Sequence, residues 1–175
     1  MKKKKLNKIG ILGGTFDPAH RGHIAISKEA IKNYKISRII WAVTKKNPFK
    51  KESSMSLNER IKYAKKLNKN NHKIKVKFFE DKIKSSRTIN LINYLKKTNK
   101  NSELFFIMGA DNLINFHKWA KWKLISKNCS ILVFDRDQYR SKSIKSKTFR
   151  ELNNKKLSFI KFKKVNISSS QLRKI

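Results

Sequence analysis

The residues best suited to chemistry lie in one run, Gly13-Gly14-Thr15-Phe16-Asp17-Pro18-Ala19-His20-Arg21-Gly22-His23. His20 and His23 are three residues apart, a spacing that puts both imidazoles on one side of a helix. A glycine pair lets a ligand approach the backbone, and a helix N-terminus attracts anions. An imidazole donates a hydrogen bond in either charge state. Together these parts describe a seat for a phosphate chain. A glycine pair alone marks a turn, and a single histidine is most often a surface or core residue; the order of the parts makes the site. No Gly-Lys-Ser/Thr closes the loop, so it is not a Walker loop. Its glycines are also spaced differently from the dinucleotide fingerprint.

Such a seat needs a strand before the loop and a helix after it. Ile9-Gly10-Ile11-Leu12 supplies the strand. Ile24, Ser27, Ile31 and Tyr34, with Ile26 and Ala30 beside them, supply an amphipathic helix face. Further strands are expected at Arg38–Val43, Ile74–Phe79, Leu104–Met108, Ser130–Phe134 and Ser158–Phe162, after a first strand at Lys8–Leu12. Helices are expected at His20–Tyr34, Leu57–Leu67, Thr88–Lys97, Ala110–Phe116, Trp119–Ile125 and Ser169–Arg173. Ser56-Leu57-Asn58-Glu59 is a capping-box pattern.

Strands separated by helices imply right-handed crossovers and a parallel sheet. Strands rich in isoleucine, valine and phenylalanine suit burial on both faces. The expected fold class is α/β, a Rossmann-like parallel sheet flanked by helices, in a single domain spanning residues 1–175. Ligands of such sheets bind beyond the carboxyl ends of the strands, at the switch point, where the glycine loop would fall. The polar stretch from Asp135 to Lys156 is expected to be a solvated connection, with a lid as the alternative.

Composition sets outer limits. The 175 residues are enough to bury a core. No apolar run approaches the ~20 residues that span a bilayer. Met1-Lys2-Lys3-Lys4-Lys5 imitates the basic start of a signal peptide, but the apolar run behind it is too short, so a cytoplasmic location and no membrane contact are expected. The single Cys129 excludes an intramolecular disulfide and a multi-cysteine metal site, and Cys129-Ser130-Ile131-Leu132-Val133-Phe134 makes it an inert core thiol. The net charge of +34 raises the reading of a basic nucleic-acid-binding module. Lysines are spread through most helices and loops, and no nucleic-acid-binding motif is present. A general surface bias is therefore favoured, with a field that attracts phosphorylated substrates.

The run Gly13 to His23 resembles the N-terminal signature of the nucleotidylyltransferase superfamily, and more closely its bacterial nicotinate-nucleotide adenylyltransferase branch. Trp41-Ala42-Val43-Thr44 with Asn47-Pro48-Phe49-Lys50, then Met108-Gly109-Ala110-Asp111-Asn112-Leu113, then Trp119 and Trp122 continue the resemblance in the branch's order. Ile167-Ser168-Ser169-Ser170-Gln171-Leu172-Arg173 closes it.

The resemblance implies transfer of AMP from ATP to nicotinate mononucleotide in NAD synthesis, with pyrophosphate as leaving group. It implies that His20 and His23 contact the ATP phosphates and stabilise the transition state. Gly13, Gly14, Thr15 and Phe16 match the loop whose amides reach the nucleotides. Gly109 and Asp111 match the adenosine site, and Ser169, Ser170 and Arg173 match a second clamp on the triphosphate. Thr44, Asn47, Lys50, Thr88 and Trp119 match the acceptor-nucleotide site. Magnesium (Mg2+) is expected to ride mainly on ATP phosphates and water, because only 11 carboxylate side chains are present.

The chain departs from the branch at Ala19, Arg87, Leu91, Ser170 and Arg136-Asp137; Arg87 and Leu91 weaken the acceptor-base assignment. Pantetheine-phosphate adenylyltransferase is the nearest rival, against which Trp119, Trp122 and Arg173 weigh. Nicotinamide mononucleotide as acceptor and a homo-oligomeric state both stay open.

Overall fold

The computed structural model describes residues 6–48, 52–136, 138–153 and 155–162. Six strands form one sheet: β1 (Asn7–Gly14), β2 (Arg38–Val43), β3 (Ile74–Phe78), β4 (Ser102–Gly109), β5 (Ser130–Phe134) and β6 (Leu157–Ile160). Their order across the sheet is β3-β2-β1-β4-β5-β6, and every pairing is parallel. Between the strands run α1 (Arg21–Tyr34), α2 (Leu57–Leu67), α3 (Glu80–Ile83), α4 (Thr88–Thr98), α5 (Ala110–Asn115), α6 (Trp122–Asn128), α7 (Arg140–Ile144) and α8 (Lys147–Leu152). Among the described residues, no helix is long and apolar enough to cross a membrane.

Alternation along each strand feeds two cores, one on each face. Ile9, Ile11, Ile40, Phe106, Met108, Ile131 and Val133 pack with Ile92 of α4, Leu113 of α5 and Ile125 of α6. Leu12, Ile39, Trp41, Val43, Phe105, Ile107 and Leu132 pack with Ile26 and Ala30 of α1 and Ala64 of α2. Burial on both faces explains why these strands read as continuous apolar runs. The chain moves from β1 to β2 and β3 on one side, then returns to place β4 on the other side of β1. The switch point therefore lies between β1 and β4.

Local signals place the helix ends. Ser56 caps α2 by accepting from the Glu59 amide, while the Glu59 carboxylate accepts from the Ser56 amide at 2.8 Å. Those bonds hold the Glu59 carboxyl below its ordinary value. Lys35 ends α1 in the left-handed region at φ 53°.

Three expectations are corrected. The stretch from Asp135 to Lys156 carries α7 and α8, with Ser143, Thr148 and Leu152 buried and Ser146 capping α8 through the Phe149 amide. Helices this short and this rich in serine and lysine leave little periodicity to detect. Trp119 is not helical: it closes a 3-10 turn at Phe116–Lys118, and α6 begins only at Trp122. The last described strand is Leu157–Ile160, because Leu157 pairs with Ile131 and is buried. Helix α3, opened by Glu80 and Asp81, was not anticipated. The expected helix Ser169–Arg173 lies outside the described residues.

Candidate active site

Strand β1 ends at Gly14, and the loop behind it delivers His20 to the N-cap of α1. His20 is extended at φ −149° and ψ 172°, and its Nδ1 accepts the Gly22 amide at 3.1 Å. The His20 amide in turn donates to Nδ1 of His23 at 3.1 Å. Two histidines thus form the reciprocal cap that Ser and Glu usually make. This sets the chemistry of both rings. Each Nδ1 spends its lone pair on a backbone N–H, so in the neutral imidazole the proton sits on Nε2. The ring centroids are 3.8 Å apart.

The wall behind the pair is aromatic. Phe16, at φ 50° and buried, stacks on Trp41 with centroids 4.9 Å apart and 13° between planes. It also touches His23 at 4.8 Å. Trp41 donates its indole N–H to the Ser27 hydroxyl at 2.9 Å, and Ser27 donates to the His23 carbonyl at 2.8 Å. The Phe16 side chain therefore belongs to the core, and only its backbone is offered at the loop. At Gly13 and Gly14 an added Cβ would meet only phenylalanine rings, at 3.7 Å and 3.6 Å. Packing does not demand glycine there; room beside the backbone remains as the reason for it.

Across the switch point, β4 ends at Gly109, which caps α5. A Cβ there would lie 2.5 Å from Oδ1 of Asp111, so any larger residue would push that carboxylate aside. Asp111 forms an ion pair with Arg136 at 3.5 Å, and beside it Asp135 takes Arg140 at 2.7 Å.

On the β2 side, Thr44 donates its amide to the Gly14 carbonyl at 3.0 Å, locking the two loops together at their roots. Its hydroxyl donates to the Glu80 carboxylate, which also accepts the Lys45 amide at 3.2 Å. Asn47 follows in the same loop, half-buried. Thr88 opens α4. Trp119 packs edge-on against Phe106 at 6.0 Å and Phe116 at 5.2 Å.

The carboxyl edge thus gathers Gly13, Gly14, Thr15, Phe16, His20, His23, Thr44, Asn47, Gly109 and Asp111. Trp119 lies in the apolar layer beside β4. Lys50, Ser169, Ser170 and Arg173 lie outside the described residues.

Sequence reasoning did not single out Arg60, Glu80, Ser54 or the ion-pairing role of Arg136. Asp17 faces inward at 1 % exposure and accepts from the amides of Ser54 and Met55 at 2.7 Å and 3.0 Å. Arg60 is 2 % exposed. Burial pulls its guanidinium below the ordinary value, and the charges of Asp17 and Glu80 oppose that shift. Cys129 is buried, and desolvation pushes its thiol up to about 12. Among the described residues, no group of three or more His, Cys, Asp or Glu side chains is arranged to hold a metal ion.

A glycine loop, a helix N-terminus and two imidazole donors at the switch point of a parallel sheet define an α/β nucleotide-binding transferase. The cytidylyltransferase-like family model matches residues 11–175. A protein of Pelagibacter ubique named "probable nicotinate-nucleotide adenylyltransferase" is 63 % identical over 172 residues, covering 98 % of this chain and 95 % of that protein. One of the same name from Aliarcobacter butzleri is 37 % identical over 147 residues, covering 83 % of this chain and 80 % of that protein. The chain therefore belongs to the cytidylyltransferase-like family and, within it, to the nicotinate-nucleotide adenylyltransferases. The fold also matches a Plasmodium falciparum nicotinic acid mononucleotide adenylyltransferase complexed with NaAD. That match has a TM-score of 0.72 at 22 % identity, over 96 % of this chain and 83 % of that one.

Proposed function

We propose that this protein transfers AMP from ATP to nicotinate mononucleotide, giving nicotinate adenine dinucleotide and pyrophosphate. A phosphate oxygen of the acceptor attacks the α-phosphorus of ATP in line. A new P–O bond forms as the bond to the β-phosphate oxygen breaks, and the electron pair leaves on pyrophosphate. The attacking oxygen is already anionic near neutral pH, so no side-chain nucleophile is required. The work is positioning and charge stabilisation.

The observation that carries this reading is the histidine cap. It orients two imidazoles through Nδ1, so that Nε2 carries the proton of each neutral ring, at the end of a helix whose dipole favours negative charge. In this reading His20 and His23 donate to the phosphoryl oxygens. Backbone amides of Gly13, Gly14, Thr15 and Phe16 contact the phosphates, while Gly109 and Asp111 hold the adenosine. Arg136 keeps the Asp111 carboxylate in place through their ion pair.

Thr44, Asn47, Lys50, Thr88 and Trp119 are assigned to the acceptor nucleotide. Because the Thr44 hydroxyl is committed to Glu80, its amide to Gly14 and its carbonyl to Arg60, Thr44 serves by fixing the shape of the acceptor loop. Ser169, Ser170 and Arg173 are assigned to the triphosphate. Magnesium enters with ATP as part of the substrate, screening charge on the phosphates. One domain over residues 1–175, acting in the cytoplasm in NAD synthesis, completes the proposal.

The test is an acceptor panel. MgATP is incubated separately with nicotinate mononucleotide, nicotinamide mononucleotide and 4′-phosphopantetheine, and pyrophosphate release is followed with chromatography of the dinucleotide. Fastest turnover is expected with nicotinate mononucleotide. Folded protein that turns over only phosphopantetheine, or none of the three, defeats the proposal.

A further inference from the structure

Among the described residues Arg60 is the largest buried charged side chain, and the mechanism above does not use it. It leaves α2 and runs beneath the carboxyl edge of the sheet. Its Nε donates to the Met55 carbonyl at 3.1 Å. One terminal nitrogen donates to Thr15 at 2.6 Å and to Thr44 at 2.8 Å, and the other donates to Lys45 at 3.1 Å. Four of the five guanidinium N–H groups thus end on main-chain carbonyls from three separate segments.

Those segments are not arbitrary. Thr15 belongs to the loop assigned to ATP, and Thr44 and Lys45 begin the loop assigned to the acceptor. Met55 leads into the cap of α2. The ladder between β1 and β2 ends at Gly14 and Val43, with one further bond from the Thr44 amide to Gly14. Beyond that bond Arg60 joins the two loops on a single planar group. Carbonyls carry no formal charge, so the guanidinium is compensated by the fields of Asp17 and Glu80. Each of these carboxylates is itself tied to a loop: Asp17 to Ser54 and Met55, Glu80 to Thr44 and Lys45.

We propose that Arg60 is a positioning residue that joins the ATP loop to the acceptor loop, so that ordering of one by its nucleotide pre-orders the other. The proposal rests on the nucleotide assignments above. It makes the two binding events cooperative: the first ligand fixes a shared clamp, and the second finds its loop already ordered. A lysine cannot replace Arg60, because one ammonium nitrogen cannot reach carbonyls spread across three segments. Arg60 touches no substrate and acts only through the two loops.

The experiment measures binding of nicotinate mononucleotide by calorimetry, with and without a non-hydrolysable ATP analogue, in the native protein, Arg60→Lys and Arg60→Met. The native protein should bind the acceptor at least about fivefold more tightly when the analogue is present. In Arg60→Lys that factor should fall to within about twofold of unity. Affinity for the analogue alone should change less than the coupling does, and the KM for each substrate should rise more than kcat falls. A merely structural residue would lower the melting temperature and leave the coupling factor intact. If Arg60→Met does not fold, Arg60→Lys, which keeps charge and length, carries the test.

Amide hydrogen exchange in the ligand-free protein is the second arm. Lys45 and Phe16 should exchange through one shared opening in the native protein and at diverging rates in the variant. This arm holds whichever acceptor is used, so failure of the clamp is separable from failure of the acceptor assignment. A folded Arg60→Lys protein with native coupling and native exchange would overturn the proposal, as would a native protein that shows no coupling.

Discussion

Replacing His20 separates its two jobs, because the structure gives them to different nitrogens. Nδ1 caps α1 by accepting the Gly22 amide, and Nε2–H is the proposed phosphate donor. Asparagine is among the best N-cap residues, and its short amide can accept the same amide without reaching the ligand. His20→Asn should therefore keep the cap and lose the donor. His20→Ala should lose both. Loss of an N-cap costs about 1 kcal/mol, or roughly 2–4 °C in melting temperature for a chain of this length. Loss of one preorganised oxyanion donor costs about 2.7–4 kcal/mol of transition-state stabilisation, a kcat loss of roughly 10²–10³.

The expected pattern is specific. His20→Asn melts within about 2 °C of the native protein, and His20→Ala melts roughly 2–4 °C lower. Both lose kcat to the same extent. KM for ATP should move less than about threefold, because a donor used mainly in the transition state affects kcat. Pyrophosphate release and thermal denaturation on the same preparations read both quantities. A His20→Asn variant with native kcat would refute the reasoning, as would activity losses that follow the stability losses across the two variants.

Other consequences follow from neighbouring contacts. Gly109→Ala forces the Asp111 carboxylate away from a Cβ that would lie 2.5 Å from Oδ1; KM for ATP should rise about tenfold, and an unchanged KM would remove Asp111 from the adenosine site. Ser27→Ala leaves the buried Trp41 indole N–H without its acceptor, which should cost about 1–3 kcal/mol on urea denaturation; a loss below about 0.5 kcal/mol would contradict that packing. Cys129 should resist thiol reagents at pH 8 until the protein unfolds. The folded protein holds the Cys129 proton up to about 12, whereas an unfolded thiol loses it near its ordinary value of 9. This contribution to stability is therefore full below pH 9 and is lost as pH rises towards 12. Compared with Cys129→Ala, the native protein should lose more stability between pH 8 and pH 10.5, and parallel pH profiles would argue against the burial.

The large periodic elements were legible because one period dominated each. Arg38–Val43, Ser130–Phe134 and Leu57–Leu67 are observed with the bounds their apolar patterns suggest. The histidine spacing and the glycine pair pointed to the carboxyl end of β1, where topology then put the switch point. The buried stripe of α2 was less legible. Arg60 and Ala64 lie deeper than Leu57 and Ile61, because four carbonyls and two carboxylate fields make a guanidinium tolerable there. A hydropathy pattern assigns an arginine to solvent, so Arg60 was missed.

A compositional signal was nonetheless present. The chain has thirty-seven lysines and only eight arginines. Of those eight, Arg60 holds carbonyls, Arg136 and Arg140 hold Asp111 and Asp135, and Arg38 holds Asn99 at 2.8 Å. Against so many lysines, these four arginines stand out as holding neighbouring acceptors, and Arg60 uses its planar fork on several at once. Helices α7 and α8 escaped for a different reason. Each is one to two turns long; α7 buries Ser143, and α8 is held by Ser146 capping and burial of Thr148 and Leu152, so neither shows a repeating apolar face.

The central claim is that one continuous seat, centred between β1 and β4, holds both nucleotides. Amide chemical-shift mapping during titration with nicotinate adenine dinucleotide tests it directly. Concerted shifts are expected at Gly13–Phe16, at Thr44–Asn47 and at Gly109–Asp111, all saturating at one ligand equivalent. Shifts confined to only one of these segments, or lying instead along the outer edge of β3, would contradict it.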